Sequence, residues 1–469
     1  MRRRNAGGGT RQTDLGRDPI VGLVLKLAIP SMLAQLVNVA YSIVDRIYIG
    51  NLPDIGATAL AGVGVCGPIV TLISSFAFLV GMGGAPLLAI KLGEGNHETA
   101  KRLLFNCAAM LTVVALLLTG TVFALKRNLL VWFGASERLL PYADTYLTWY
   151  AAGSLFAILA AGLNCFIICQ GFSKLGMFTV LIGAALNIAL DPLFIFVFDM
   201  GVAGAAIATV LSQFASCVFV LAVLFGRRIT VRLGRERFSA KLCKRVLALG
   251  LSPFLIIATD SVLIIALNAV LQRTGGAQGD SLLACATVVL SFMQIVTMPL
   301  GGITSGTQPI LSFNYGAKNS ARIKSGERVI LCACLVFTAV MFLFAQFGSA
   351  GFVRIFLKDE ALVALTVRYI RRYTLCIIPL AFQYAFVDGL TALGIAKAAV
   401  SLSMFRKLVI MLTLTLVLPI FWGADAAFWA EPAADLVAGI LSSVVFLSII
   451  NRILKKREAA EVLTDAAEG

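Results

Sequence analysis

The sequence predicts an all-α polytopic membrane protein: twelve transmembrane helices in two pseudo-symmetric lobes of six, both termini cytoplasmic. Three observations predict it. Of the 469 residues, 59% are hydrophobic and only 13% charged. An ordinary globular chain would carry about 25% charged residues. The apolar residues come in long blocks of the kind a bilayer-spanning helix needs, roughly 20 residues each, without the alternation of barrel strands. The second half of the chain also repeats the first.

The blocks run in order over 21–49, 57–92, 103–125, 139–169, 177–198 and 202–226, then 246–272, 281–314, 329–347, 366–394, 398–421 and 432–452. Several exceed the minimum length and must tilt, bend or protrude. They divide the chain into a polar N-tail (1–19), a first lobe (20–226), a basic linker (227–245), a second lobe (246–452) and a C-tail (453–469). The tail MRRRNAGGGTRQTDLGRD is basic and glycine-rich and is expected to be disordered.

Orientation follows from lysine and arginine. The linker carries Arg227, Arg228, Arg232, Arg235, Arg237, Lys241, Lys244 and Arg245. Lys101, Arg102, Lys318, Arg322 and Lys324 fall on the same side, as do Lys455, Lys456 and Arg457. The opposite loops hold mainly Asp54, Asp199, Asp425 and Glu431, with Arg354 and Lys358 in a mixed loop. The net charge of +15 is thus explained by orientation in a cytoplasmic membrane, and nucleic acid is not an expected partner.

The repeat has a constant offset. Pro30, Leu60, Pro86, Gly93, Asn96 and Lys101 recur 223 residues later as Pro253, Leu283, Pro309, Gly316, Asn319 and Lys324. A further match, QGFSKLG (170–176) with DGLTALG (388–394), has an offset of 218. Both copies keep their spans on the same side, a parallel six-plus-six repeat of the kind found in transporters with a central site.

Enzyme chemistry is not expected. His97, read as a loop residue, is the only histidine, so a His-based triad or metal site would need unusual ligands. Most of the ten cysteines lie inside apolar blocks as small packing residues. No cofactor is called for.

Polar residues inside the spans are the candidate site. Ser31, Gln35, Asn38, Ser42 and Asp45 are spaced 4, 3, 4 and 3 apart and share one face of the first helix. Such a stripe must face other helices or water. Asn187 and Asp191 are four apart in the fifth block, and Pro192 weakens the backbone ladder beside them. Thr209 lies in the sixth. Two carboxylates, an amide and a hydroxyl are hard oxygen ligands; they suit Na⁺, or a proton held on a desolvated aspartate. The second lobe is not a copy, because Asn268 stands where the offset puts Asp45. It has deep acids of its own, Asp260, Asp388 and Asp435. Arg406 and Lys407 are close enough to the cytoplasmic end to snorkel to it. Arg46 lies off the polar stripe and is expected to reach the outer interface or a neighbouring helix.

Three stretches resemble the MATE family, the multidrug and toxic compound extrusion transporters of the MOP flippase superfamily. They are LAIPSMLAQLVNVAYSIVDRIYIGNL (27–52), NIALDPLFIFVFDMGVAGAAIATVLSQ (187–213) and GITSGTQPILSFNYGAKN (302–319). The resemblance covers roughly residues 20–450. It implies a V-shaped antiporter that expels lipophilic organic cations in exchange for Na⁺ or H⁺. It also implies that Asp45, Asn187, Asp191 and Thr209 form the cation-coupling site, which would be the metal site if the ion is Na⁺. Gln35, Asn38, Asp260, Asp388 and Gln308 are the substrate and cavity candidates. Helix ten departs from the family pattern, with Thr391 at the usual glutamine. The expected partners are a small cationic substrate and the lipid bilayer, and the expected state is a monomer. The competing reading is a lipid-linked saccharide flippase, which would need several basic residues in the cavity to meet a pyrophosphate.

Overall fold

A computed structural model describes residues 14–50, 52, 56–133, 137–227, 229–276, 279–357 and 359–468. Among the described residues, eleven helices are long and apolar enough to cross a bilayer. They are α1 (Ile20–Gly50), α2 (Gly56–Gly93), α3 (His97–Trp132), α4 (Leu140–Ile168), α5 (Ser173–Val197), α6 (Gly201–Phe225), α7 (Ala240–Thr274), α8 (Gly279–Gly316), α9 (Ser320–Phe356), α11 (Ala396–Trp422) and α12 (Ala424–Leu454). The remaining span, α10, is a pair of helices, Glu360–Tyr373 and Ile377–Ala392, bent by 47° at the break. Each predicted block therefore carries one span. His97, read as a loop residue, is instead the first residue of α3.

Large apolar side chains such as Leu117 and Val444, 65% and 60% exposed, cover the outside of the bundle. That surface suits hydrocarbon and not water. Three spans leave α-helical geometry internally. The switch in α5 to a π-helical turn, Leu193–Val197, starts directly after Pro192, whose ring removes one ladder donor. Similar turns occupy Phe344–Gly348 of α9 and Phe405–Leu412 of α11.

The repeat is exact in the backbone at its turns. Gly95 and Lys318 both adopt left-handed φ, +72° and +58°. Asn96 and Asn319 then cap α3 and α9, accepting from the amides of Thr99 and Arg322 at 3.0 and 3.1 Å. Gly171 and Gly394, at φ +89° and +78°, follow α4 and α10, and α5 and α11 begin at Ser173 and Ala396. All of these pairs are offset by 223. The correct partner of QGFSKLG is therefore LGIAKAA (393–399), not DGLTALG. The 218 offset is overturned, because a residue in left-handed φ marks a fixed point in the fold, whereas a shared run of small residues does not.

The two lobes close against each other at the end that carries Ile20 of α1. There α1 runs along α8, and α2 along α7. A Cβ on Gly83 would stand 2.3 Å from the carbonyl oxygen of Val246, and one on Gly250 1.7 Å from that of Leu79. The apolar cores agree. The first lobe's core takes in Val246 and Leu249 from the start of α7. One core of the second lobe takes in Leu15, Leu23, Val24, Leu27 and Ala28. The core at the far end of the second lobe, among the described residues, contains only second-lobe side chains. The lobes are thus joined at one end.

Two segments outside the spans, the predicted tail and the basic linker, pack against the bundle. Within the predicted tail, Leu15 is buried. Its carbonyl accepts from Asn314 of α8 at 3.0 Å, and the carbonyl of Asp18 accepts from Arg322 at 2.8 Å. In the linker, Val231 is buried and its amide donates to Gln170 at 2.6 Å. The predicted C-tail continues the last helix to Glu468. The rest of the N-tail, residues 1–13, and the Arg46 side chain lie outside the described residues.

Candidate functional site

The first lobe gathers its polar residues near the far end, away from the closure. Asp191 is fully buried and Asn187 nearly so. One turn of α5 separates them, and the Asn187 amide donates to Asp191 Oδ1 at 3.0 Å. The same amide reaches Thr209 Oγ1 of α6 at 3.3 Å. Asp45, on α1, lies within hydrogen-bonding reach of Asp191. So the four residues named from three separate helices converge.

This centre fits a small hard cation. Asn187 Oδ1 and Asp191 Oδ2 are buried and have no hydrogen-bond partner among the described residues. A buried oxygen acceptor without a donor costs about 1–3 kcal/mol, and a bound cation or proton supplies what it needs. The surroundings add a shell that the sequence reading missed. Tyr41 and Tyr146 are in electrostatic range of Asp45, and Tyr150 lies within reach of Gln213 and Ser74. The pair Tyr146 and Tyr150, four apart on α4 and stacked at 6.2 Å, was the available signal.

The stripe on α1 connects this centre with the seam between the lobes. Ser31 is buried under Gly306 of α8, where a Cβ would meet its hydroxyl at 2.3 Å. Gln35 packs on Gly302 and accepts from the Asn38 amide at 3.1 Å. Ser42 donates to its own helix at Val39, so within the stripe Asp45 is the member that reaches α5.

The second lobe corrects two expectations. Arg406 does not snorkel: it is 4% exposed. Its Nε and Nη2 donate to Asp435 Oδ1 at 3.0 and 2.6 Å, and Nη2 donates to Glu431 Oε1 at 2.7 Å. Lys407 does not snorkel either; it pairs with Asp260 of α7. Glu431, read as a loop residue, is buried in α12 one turn before Asp435. The physical reason is the i, i+4 spacing, which puts both carboxylates on one face of α12 against α11. A guanidinium satisfied by two carboxylates has no need to reach the interface.

The remaining candidates lie elsewhere. Asp260 is 45% exposed at its side chain. Asp388 accepts from the Thr304 hydroxyl of α8. Gln308 is buried, and its Nε2 has no partner among the described residues. No hydrogen bond or ion pair among the described residues links Asp388 or Gln308 to the Arg406 cluster.

Comparison with known proteins agrees with this architecture. The chain is 23% identical over 434 residues to the multidrug export protein MepA of Staphylococcus saprophyticus, covering 92% of this chain and 94% of that one. It is 22% identical to MepA of Staphylococcus aureus strain MRSA252, covering 93% and 96%. Its fold matches a multidrug resistance MATE family transporter of the MOP superfamily solved in an outward-facing conformation, at TM-score 0.88, 21% identity and 96% and 100% coverage. A MOP superfamily transporter from Pyrococcus furiosus, described as having a binding pocket of reverse polarity, matches at TM-score 0.88 and 21% identity, with 95% and 99% coverage. The sequence pattern of the MatE family matches twice, over residues 30–193 and 257–417, once in each lobe. With both matches together spanning most of the chain, the protein belongs to the MatE family.

Proposed function

We propose that this chain is a multidrug efflux antiporter of the cytoplasmic membrane, exporting lipophilic organic cations in exchange for inward Na⁺ or H⁺ by alternating access. The observation that carries the reading is the convergence of Asp45, Asn187, Asp191 and Thr209, with two buried oxygens left for a cation. The printed names of the MepA relatives support export of drugs. With the termini cytoplasmic, as the positive-inside rule expects, the closed end faces the cytoplasm and substrate leaves from the opposite side. The protein works as a monomer in this reading.

The chemistry of coupling follows from differential affinity. A cation at Asp45 and Asp191 moves the lobes only if it binds one arrangement more tightly than the other. The site joins α1, which also forms the seam with α8, to α5 and α6, which do not. Binding there therefore acts directly on the element that the other lobe holds. In the second lobe Asp260 is paired with Lys407, and Asp388, which forms no ion pair among the described residues, is the acid left to attract a cationic substrate.

The flippase reading is not favoured. Arg406 is neutralised by two carboxylates and Lys407 by Asp260, so neither has charge to spare for a pyrophosphate. The testing experiment is efflux of a fluorescent organic cation from vesicles under separately imposed Na⁺ and pH gradients. Efflux driven by one gradient in the wild type, and lost in Asp45→Asn and Asp191→Asn, supports the proposal. Full efflux in both variants overturns it.

A further inference from the structure

Glu327 of α9 has no part in the coupling centre described above. It is 5% exposed, and neither carboxylate oxygen has a hydrogen-bond partner among the described residues. An ionised carboxylate in that condition costs several kcal/mol. Both oxygens lie against Gly389 of α10, where a Cβ would stand 3.0 Å from each. The position is glycine because the carboxylate occupies that space. The residue before it is Asp388, held by the Thr304 hydroxyl of α8, and the two acids are in electrostatic range of one another.

No cation offsets them. On α9, Lys324 and Arg328 are exposed, and the Cys334 thiol is the other ionisable group in range of both acids. On α10, Tyr384 is in range of Asp388. On α8 the contact is the neutral Thr304. On α1, Lys26 is 61% exposed at its side chain and approaches Asp18. No lysine or arginine among the described residues forms an ion pair with Glu327 or Asp388. Two neighbouring negative charges repel strongly where little water screens them; Glu327 is buried and Asp388 only part-exposed. A proton held by either carboxylate offsets one of the two charges, and the two acids act as a coupled pair.

We propose that Glu327 and Asp388 form a second proton-binding site, sharing one exchangeable proton. That this proton is exchanged during the cycle rests on the antiport reading; its presence does not. The two acid centres lie near opposite faces of the bundle. Asp45 is five residues from the far end of α1, and Glu327 is seven residues from the start of α9, about 10 Å along the helix from the closed end.

Infrared spectroscopy of the purified full-length chain tests the site without requiring transport. The measurement follows the carbonyl stretch of protonated carboxyl groups across a pH titration, in an Asp45→Asn, Asp191→Asn background that removes both first-lobe carboxyl groups. The expected result is a band that disappears as pH rises, is absent in Glu327→Gln, and is indifferent to Na⁺. Asp388→Asn, which leaves Glu327 in place, is expected to shift the pH at which the band disappears by at least tenfold in proton concentration. Retention of every titrating band in Glu327→Gln, an unchanged midpoint in Asp388→Asn, or a band that follows Na⁺ and not pH would each overturn the proposal. Absence of gradient-driven efflux in the wild-type chain, with the band intact, would count against the antiport reading alone.

Discussion

Gly93 and Gly316 make reciprocal contacts at the closed end of the molecule. A Cβ on Gly93 would lie 1.9 Å from the carbonyl oxygen of Phe313, and a Cβ on Gly316 would lie 2.0 Å from that of Ile90. Phe313 is itself 223 residues after Ile90, so the two contacts are one contact repeated by the pseudo-twofold axis. Such helix approach is available only to the smallest residue. Gly93→Ala is predicted to force α2 and α8 apart by about 1 Å locally and to disfavour closure. Spin labels on the exposed pair Lys101 and Lys324, in a Cys332→Ser background, should show a longer mean distance in the variant. An unchanged distance distribution would mean that the seam is not what holds this end shut.

Thr209 reaches the coupling centre by a single hydrogen bond from Asn187. Thr209→Ala removes one hard oxygen and leaves both carboxylates. The loss is worth about 1 kcal/mol, so affinity for the coupling ion should fall roughly fivefold while transport persists. A titration of efflux rate against the driving ion would register this as a shifted midpoint with an unchanged maximum. Loss of the maximum instead would place Thr209 in folding and not in ion binding.

The Arg406 cluster is predicted to be structural. Asp435→Asn leaves a buried guanidinium with one carboxylate fewer, a change that costs about 3–5 kcal/mol in comparable pairs. Replacing the whole cluster, Arg406→Leu with Glu431→Gln and Asp435→Leu, removes all three buried charges and should recover much of that loss. Thermal melts in detergent will rank the single variant below the triple one. The reverse ranking would indicate that the charges are needed for more than mutual satisfaction.

Gln170 fastens the linker. Its Oε1 accepts from Val231 N at 2.6 Å and its Nε2 donates to Phe166 O at 2.9 Å. Gln170→Ala leaves the buried Val231 amide unsatisfied, at about 1–3 kcal/mol. Because the linker holds many arginines, limited trypsin digestion reports its release. Faster cleavage between residues 227 and 245 is expected, with the spans intact.

Much of this molecule is legible in the chain because the bilayer imposes long apolar blocks, and their lengths survive any detail of packing. The first-lobe centre is legible for a related reason. Asn187 and Asp191 are one turn apart in an otherwise apolar helix, where polar groups must find each other. The second lobe is harder to read. Residues 223 positions after Asn187, Asp191 and Thr209 are Ile410, Leu414 and Pro432, while Arg406 and Asp435 correspond to Gly183 and Ser212. The repeat thus preserves backbone and exchanges chemistry. Distance along α11 made Arg406 look able to reach the interface; what holds it inside is the face of α12 that carries Glu431 and Asp435, and a single helix does not display that pairing. Glu327 lies in a stretch with Lys324 and Arg328, SARIKSGERV, which reads as a solvated helix start until packing against Gly389 buries it.

Antiport requires that substrate binding go with release of the cation held at the Asp45–Asp191 centre. Ion release from the purified protein, in unbuffered or Na⁺-free detergent solution, reads that exchange directly. Addition of a lipophilic organic cation should expel a proton, or preloaded Na⁺, from the wild-type chain, and Asp191→Asn should bind the same substrate without that release. Equal release from the wild type and the variant would contradict the account.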